Sequence, residues 1–152
     1  MNVERRQQLL VEAIDGMNAR DLEAYGRMFS PDVVVHSPGS TEPSIGRGAR
    51  LEWVAGLLAA FPDAVVTIVG SFYAGDRGCV EFAFAGTHTG PLGTADGGVV
   101  PPTNARVAFP YAITYRYGDD DLATEVREYF DQLELLLPLG VLTPATAPAA
   151  AG

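Results

Sequence analysis

Three runs set the limits on what this chain can fold into: "AVVTIVGSFY" (64–73), "CVEFAFAGTHTG" (79–90) and "RVAFPYAITYRY" (106–117). Each is rich in β-branched and aromatic residues and long enough for a full strand. "AGDRG" turns the first back on the second, which predicts an antiparallel pair. "GDDD" (118–121) turns the third into a shorter run, "EVREYFD" (125–131). The segment "PLGTADGGVVPPTNA" (91–105) is Gly/Pro-rich and too long for a tight hairpin, which makes it a candidate lid. A sheet of strands this long must bury one face against other elements.

The first 61 residues supply those elements. Leu10, Ile14 and Met17 recur at helical spacing, so residues 3–17 are expected to form an amphipathic helix. "DLEAYGRMF" (21–29) offers a second, with Leu22, Tyr25 and Phe29 on one side. "SPD" (30–32) reads as a turn and "VVVH" (33–36) as a brief strand before the loop "SPGSTEPSIG". A third helix is expected over 47–61, with Leu51, Val54, Leu57, Leu58 and Phe61 as its buried stripe. "QLELLLPLGVL" (132–142) suits a short apolar helix or cap, and 143–152 a frayed tail. The pattern predicts a single α+β domain over 1–142. Its helices pack on the concave face of a strongly curved antiparallel sheet and leave a conical central pocket.

Charge narrows the partners. Nineteen acidic residues against ten Lys plus Arg give a net charge of -9, without a basic stripe, which argues against nucleic acid and anionic membranes. Cys79 is the only cysteine, so neither an intrachain disulfide nor a thiolate metal site can form. His36 and His88 are too few for a His-rich zinc site. The N-terminal segment has no uninterrupted apolar stretch of the secretory kind, and no run approaches the ~20 residues of a membrane span. A cytoplasmic protein is the expectation. "GTHTGPLG" lacks the Lys-Ser/Thr of a phosphate loop.

The most informative run is "EVREYFD". Alternation places Glu125, Arg127, Tyr129 and Asp131 on one face, and Val126, Glu128 and Phe130 on the other. The polar face looks either to water or into a cavity where those groups do chemistry. Asp131 has two readings: an acid/base at the end of the strand, or the N-cap of "QLELLL". Arg127 could hold an enolate or a carboxylate, or pair with Glu125. Tyr129 could donate to an oxyanion or be a wall residue. His36 ends its strand at the pocket or is structural, and His88, between glycines, suits backbone positioning better than proton transfer. Phe109, Tyr111 and Tyr115 share one face of 106–117, which fits either a core or a wall for a flat substrate. Trp53, on the third helix, packs by default.

At "FPD", "GTHTGPLG", "PPTNARV" and "EVREYFDQLELLLPLG" the sequence resembles the SnoaL-like polyketide cyclases over about residues 5–142. Their pattern runs GTHxG, PPTGR, E-x-W-x-x-x-D and QLG. This chain departs from it at Asn104 (for Gly), Arg127 (for Trp) and Pro138 (for Gln). The resemblance implies a cone-shaped α+β barrel and a cyclase of polyketide biosynthesis. Ring closure would proceed by intramolecular aldol addition, without metal or organic cofactor. Asp131 would be the acid/base, with Arg127, Tyr129 and His36 orienting the substrate. It also implies a homodimer through the outer sheet face. Two other functions compete: epoxide opening, for which limonene epoxide hydrolase uses an Asp–Arg–Asp set and this strand has Glu125, Arg127 and Asp131, and non-catalytic binding of a small molecule.

Overall fold

A computed structural model describes residues 2–142; the tail expected at 143–152 lies outside the described residues. Helix α1 (Val3–Asn18) starts at Asn2, whose side chain accepts from the Arg5 N–H. It buries Leu10, Ala13, Ile14 and Met17. Helix α2 (Leu22–Gly26), capped by Asp21, is shorter than the sequence pattern suggested. Strand β1 (Phe29–His36) takes in the "SPD" segment expected to be a turn. Pro31 is accommodated by a register irregularity between Phe29 and Val34, since a proline cannot donate to the ladder. A short strand β2 (Ser44–Ile45) and helix α3 (Arg47–Ala60) follow.

The three long runs form β3 (Val65–Ala74), β4 (Arg77–Thr87) and β7 (Arg106–Tyr117). The candidate lid holds its own small hairpin, β5 (Leu92–Gly93) with β6 (Val99–Val100). Strand β8 (Ala123–Tyr129) stops before Asp131, and α4 (Gln132–Leu136) comes next. The main sheet has the order β2-β1-β8-β7-β4-β3; β1 and β8 run parallel and the other neighbours antiparallel. It is an open, curved sheet rather than a closed barrel. The helices cover its inner face, so the α+β cone read from the sequence is present.

Alternation decides what faces inward. On β4 and β7 the inner face carries Val80, Phe82 and Phe84 opposite Ile113, Tyr111 and Phe109. These cross-strand pairs stack, with ring centroids 5.0 Å apart for Phe82–Tyr111 and 5.2 Å for Phe84–Phe109. Beneath the cone, the buried Arg6 guanidinium bonds Asp121 at 2.7 Å and lies over the Tyr117 ring. That contact ties α1 to the β7–β8 turn.

Candidate active site

The inner wall of the sheet and the helices enclose a cavity of about 980 Å³. Phe82, Phe84, Phe109, Tyr111 and Phe130 form its aromatic wall, with Trp53 at the rim. A charged cluster lies deep in this surface, whereas the other charged lining residues, Glu42, Glu52 and Asp96, are exposed. Arg50 Nη2 lies 2.7 Å from Glu128 Oε1, and both side chains are only 5% exposed. The Ser37 hydroxyl donates to Glu128 Oε2 at 2.7 Å, and Arg50 Nε donates to the Tyr25 phenol at 2.9 Å. The guanidinium also faces the Trp53 ring at 5.0 Å.

The fold explains this placement. Arg50 is one turn before Val54 and two before Leu58, so it shares the buried stripe of α3. Glu128 alternates with Val126 and so belongs to the inner face of β8. Burial alone would lower the Arg50 pKa, but the carboxylate of Glu128 beside it raises it, so the guanidinium stays charged. Burial pushes the Tyr25, Tyr111 and Tyr115 phenols upward, leaving them neutral donors. Tyr111 and Tyr115 line the cavity.

Of the two directions open to the polar face of β8, the structure takes the one away from the cavity, and the site residues that the resemblance implied on it do not line the cavity. Glu125, Arg127 and Tyr129 lie on the outer side of β8, because the inner positions go to the apolar alternates Val126 and Phe130 and to the one charged residue between them. Arg127 pairs with Glu125 at 2.6 Å, and that bond, against some burial, holds the Glu125 carboxyl below its usual range. His36 Nε2 and Arg116 Nε each stand 3.6 Å from the same carboxylate. Tyr129 is 56% exposed. Asp131 is exposed and caps α4, accepting from the Leu133 N–H at 2.9 Å. The Glu125–Arg127–Asp131 set that suggested epoxide opening does not gather in the cavity. His88 is fully buried behind the wall, its Nδ1 accepting from the Thr103 N–H at 3.3 Å, and burial lowers its pKa. Phe109, Tyr111, Tyr115 and Trp53 do line the cavity. Sequence reading missed Arg50, Glu128, Ser37 and Tyr25 as site residues. The signal for the first two was a lone charge inside an apolar stripe.

Among the described residues, no group of three or more His, Cys, Asp and Glu is placed to hold a metal ion, and no helix is long and apolar enough to cross a membrane. A family model for SnoaL-like polyketide cyclase matches residues 5–139. The chain belongs to that family. Solved structures share its fold. TsrD of Streptomyces laurentii superposes with a TM-score of 0.80 at 18% identity, covering 93% of this chain and 99% of its own. AclR of Streptomyces galilaeus, provisionally assigned as a hydroxylase, gives 0.78 at 24% identity over 95% of this chain and 87% of its own. IdmH of Streptomyces antibioticus, provisionally assigned as a polyketide cyclase, gives 0.71 at 24% identity, covering 89% and 98%. No curated protein matches the chain. A cyclase-like α+β cone with a charged pair deep in an apolar cavity is thus what this SnoaL-like protein presents to a small molecule.

Proposed function

We propose that this SnoaL-like protein is a cyclase that closes a ring in a polyketide-type intermediate by acid/base chemistry, with Glu128 as the proton carrier. The Arg50–Glu128 pair in the aromatic cavity carries this reading. Glu128 removes an activated α-proton, and the resulting enolate attacks a carbonyl of the same molecule. The new alkoxide then takes the proton back. One proton leaves carbon at the first step and the same number returns to oxygen at the last, the bond-forming step between them moves none, and the carboxylate ends as it began.

Charge balance supports the assignment. Before proton transfer the buried guanidinium is matched by the Glu128 carboxylate. Afterwards the carboxyl is neutral and the negative charge is on the enolate oxygen, beside the same guanidinium. The net charge of the site does not change, so no uncompensated ion has to be created in an apolar space. The phenols of Tyr111 and Tyr115 add neutral donors to the oxyanion.

Asp131 gives the contrasting test. Asp131→Ala is expected to lower stability by about 1 kcal/mol through loss of the α4 cap. Turnover should stay within about threefold of wild type, because the residue acts through the cap and not on the reacting atoms. A drop in turnover comparable to general-base loss, with the fold intact, would move the acid/base role back to Asp131.

Homodimerisation through the outer sheet face belongs to the same proposal. Val65, Val69 and Phe72 on β3 are 52%, 64% and 67% exposed. Ala83 and Ala85 of β4 and Ala108 of β7 extend this outward face, which Thr67 and Glu81 interrupt with polar groups. A second copy of the chain buries such a face against its own equivalent. Phe72→Asp is expected to convert a dimer to a monomer by light scattering. A wild-type protein that is monomeric at high concentration would remove this part of the reading.

A further inference from the structure

Glu128, though buried, borders two separate spaces. The ladder between β1 and β8 ends at His36–Arg127, where the two strands part. The next residues in line are Ser37 and Glu128. A second cleft of about 590 Å³ opens there on the outer side, walled by His36, Arg127 and Tyr129. Ser37 and Glu128 line this cleft and also the main cavity. A water takes up roughly 30 Å³ of liquid, so the cleft has room for several, with polar groups on its walls.

We propose that Ser37 is a proton relay connecting Glu128 to solvent in this outer cleft. The inference rests on Glu128 being the proton carrier. In the structure the Ser37 hydroxyl donates to Glu128 Oε2 at 2.7 Å, as it should toward an ionised carboxylate. Once Glu128 has taken a proton, the bond reverses: the carboxyl donates to Ser37 Oγ, and the Ser37 hydrogen turns toward a water in the cleft. The carboxyl proton passes to Ser37 Oγ as the serine's own proton passes to that water. The reverse path restores it, and no charge remains on the serine. A substrate filling the main cavity blocks the inner approach to Glu128 and leaves this outer one open. Ser37 therefore sets how often the captured proton is exchanged before it is returned.

The experiment uses the full chain and the probe 3-cyclohexen-1-one in D₂O. Conversion to 2-cyclohexen-1-one needs only a base that carries a proton from C2 to C4. Ultraviolet absorbance of the conjugated product counts turnovers, and NMR counts deuterium at C4. Ser37→Thr keeps the hydroxyl, whereas Ser37→Val has nearly the same shape without it. The wild type and Ser37→Thr are expected to place solvent deuterium at C4 in most turnovers. Ser37→Val is expected to lower deuterium per turnover by about threefold or more, at a turnover rate that a merely structural role would not separate from exchange. Equal deuterium content in the Val and Thr variants overturns the relay while leaving Glu128 in its role. Isomerisation no faster in wild type than in Glu128→Gln overturns the acid/base reading itself, and the relay with it.

Discussion

Glu128→Gln is expected to yield a folded protein whose turnover falls by about three orders of magnitude, the range lost with a general base. The amide would retain the shape of the carboxylate and could still accept from Ser37, so the active cavity should persist. It could not carry the proton. The same change should cost stability, because the Arg50 guanidinium would remain buried and charged without its counter-ion. Breaking one side of a buried pair costs about 3–5 kcal/mol, which a thermal melt would show as a clear drop in Tm. These two effects separate in a double variant. Arg50→Met with Glu128→Leu removes both charges and fills the volume with apolar side chains, which is close to neutral for many buried pairs. Stability is expected to return towards wild type in the double variant, while turnover stays lost. Wild-type turnover in Glu128→Gln would remove the central assignment. Recovery of activity in the double variant would do the same.

The sequence pattern carried the architecture well, and misled most at the site. The long strands were legible because β-branched and aromatic residues fill both β3 and β4, and "AGDRG" has few ways to turn other than back. Strand β8 is legible too, since its alternation in the sequence matches the burial alternation of the strand. Residue types alone leave open which face turns inward. A face holding Glu125, Arg127, Tyr129 and Asp131 looks like chemistry, yet such groups can satisfy one another at a surface in water. The Glu125 carboxylate does so with Arg127, His36 and Arg116. The apolar face with Val126 and Phe130 had the stronger claim to the interior, since its burial is what holds the strand on the core. The single carboxylate stranded on that face was the one to follow.

Arg50 was hidden for a related reason. Its long stem and charged head usually place an arginine at a surface, so the sequence pattern favours Leu51 over Arg50 for the buried stripe of α3. Only the partner on β8, distant in sequence, makes burial tolerable, and a helix pattern does not reveal such a partner. The "SPD" segment shows the opposite error. The local turn chemistry is real, but a register irregularity in the β1–β8 ladder absorbs the proline without ending the strand.

Gly90 is where the glycines of "GTHTG" meet the fold, and Gly90→Ala should give the second large effect, a loss of about 3–5 kcal/mol. After β4 ends at Thr87, the backbone passes directly over the C-terminus of α3. The N–H groups of Thr89 and Gly90 both donate to the Ala60 carbonyl, at 3.1 and 3.0 Å. A Cβ on Gly90 would stand 2.0 Å from the Ala59 carbonyl oxygen and 2.9 Å from its carbon. Those atoms are backbone, so a rotamer change cannot relieve the clash; the helix end or the turn must move, and the two shared bonds weaken. Because α3 carries Arg50 and Trp53, displacement there should also loosen the cavity. Gly56→Ala is the control on the same helix. It has nothing within 4 Å of the added methyl, and alanine favours the helix interior by about 0.5–1 kcal/mol. The two Gly-to-Ala changes are therefore expected to shift the melting temperature in opposite directions. A Gly90→Ala variant as stable as wild type would mean that the close approach of this turn to α3 is not a constraint on the fold.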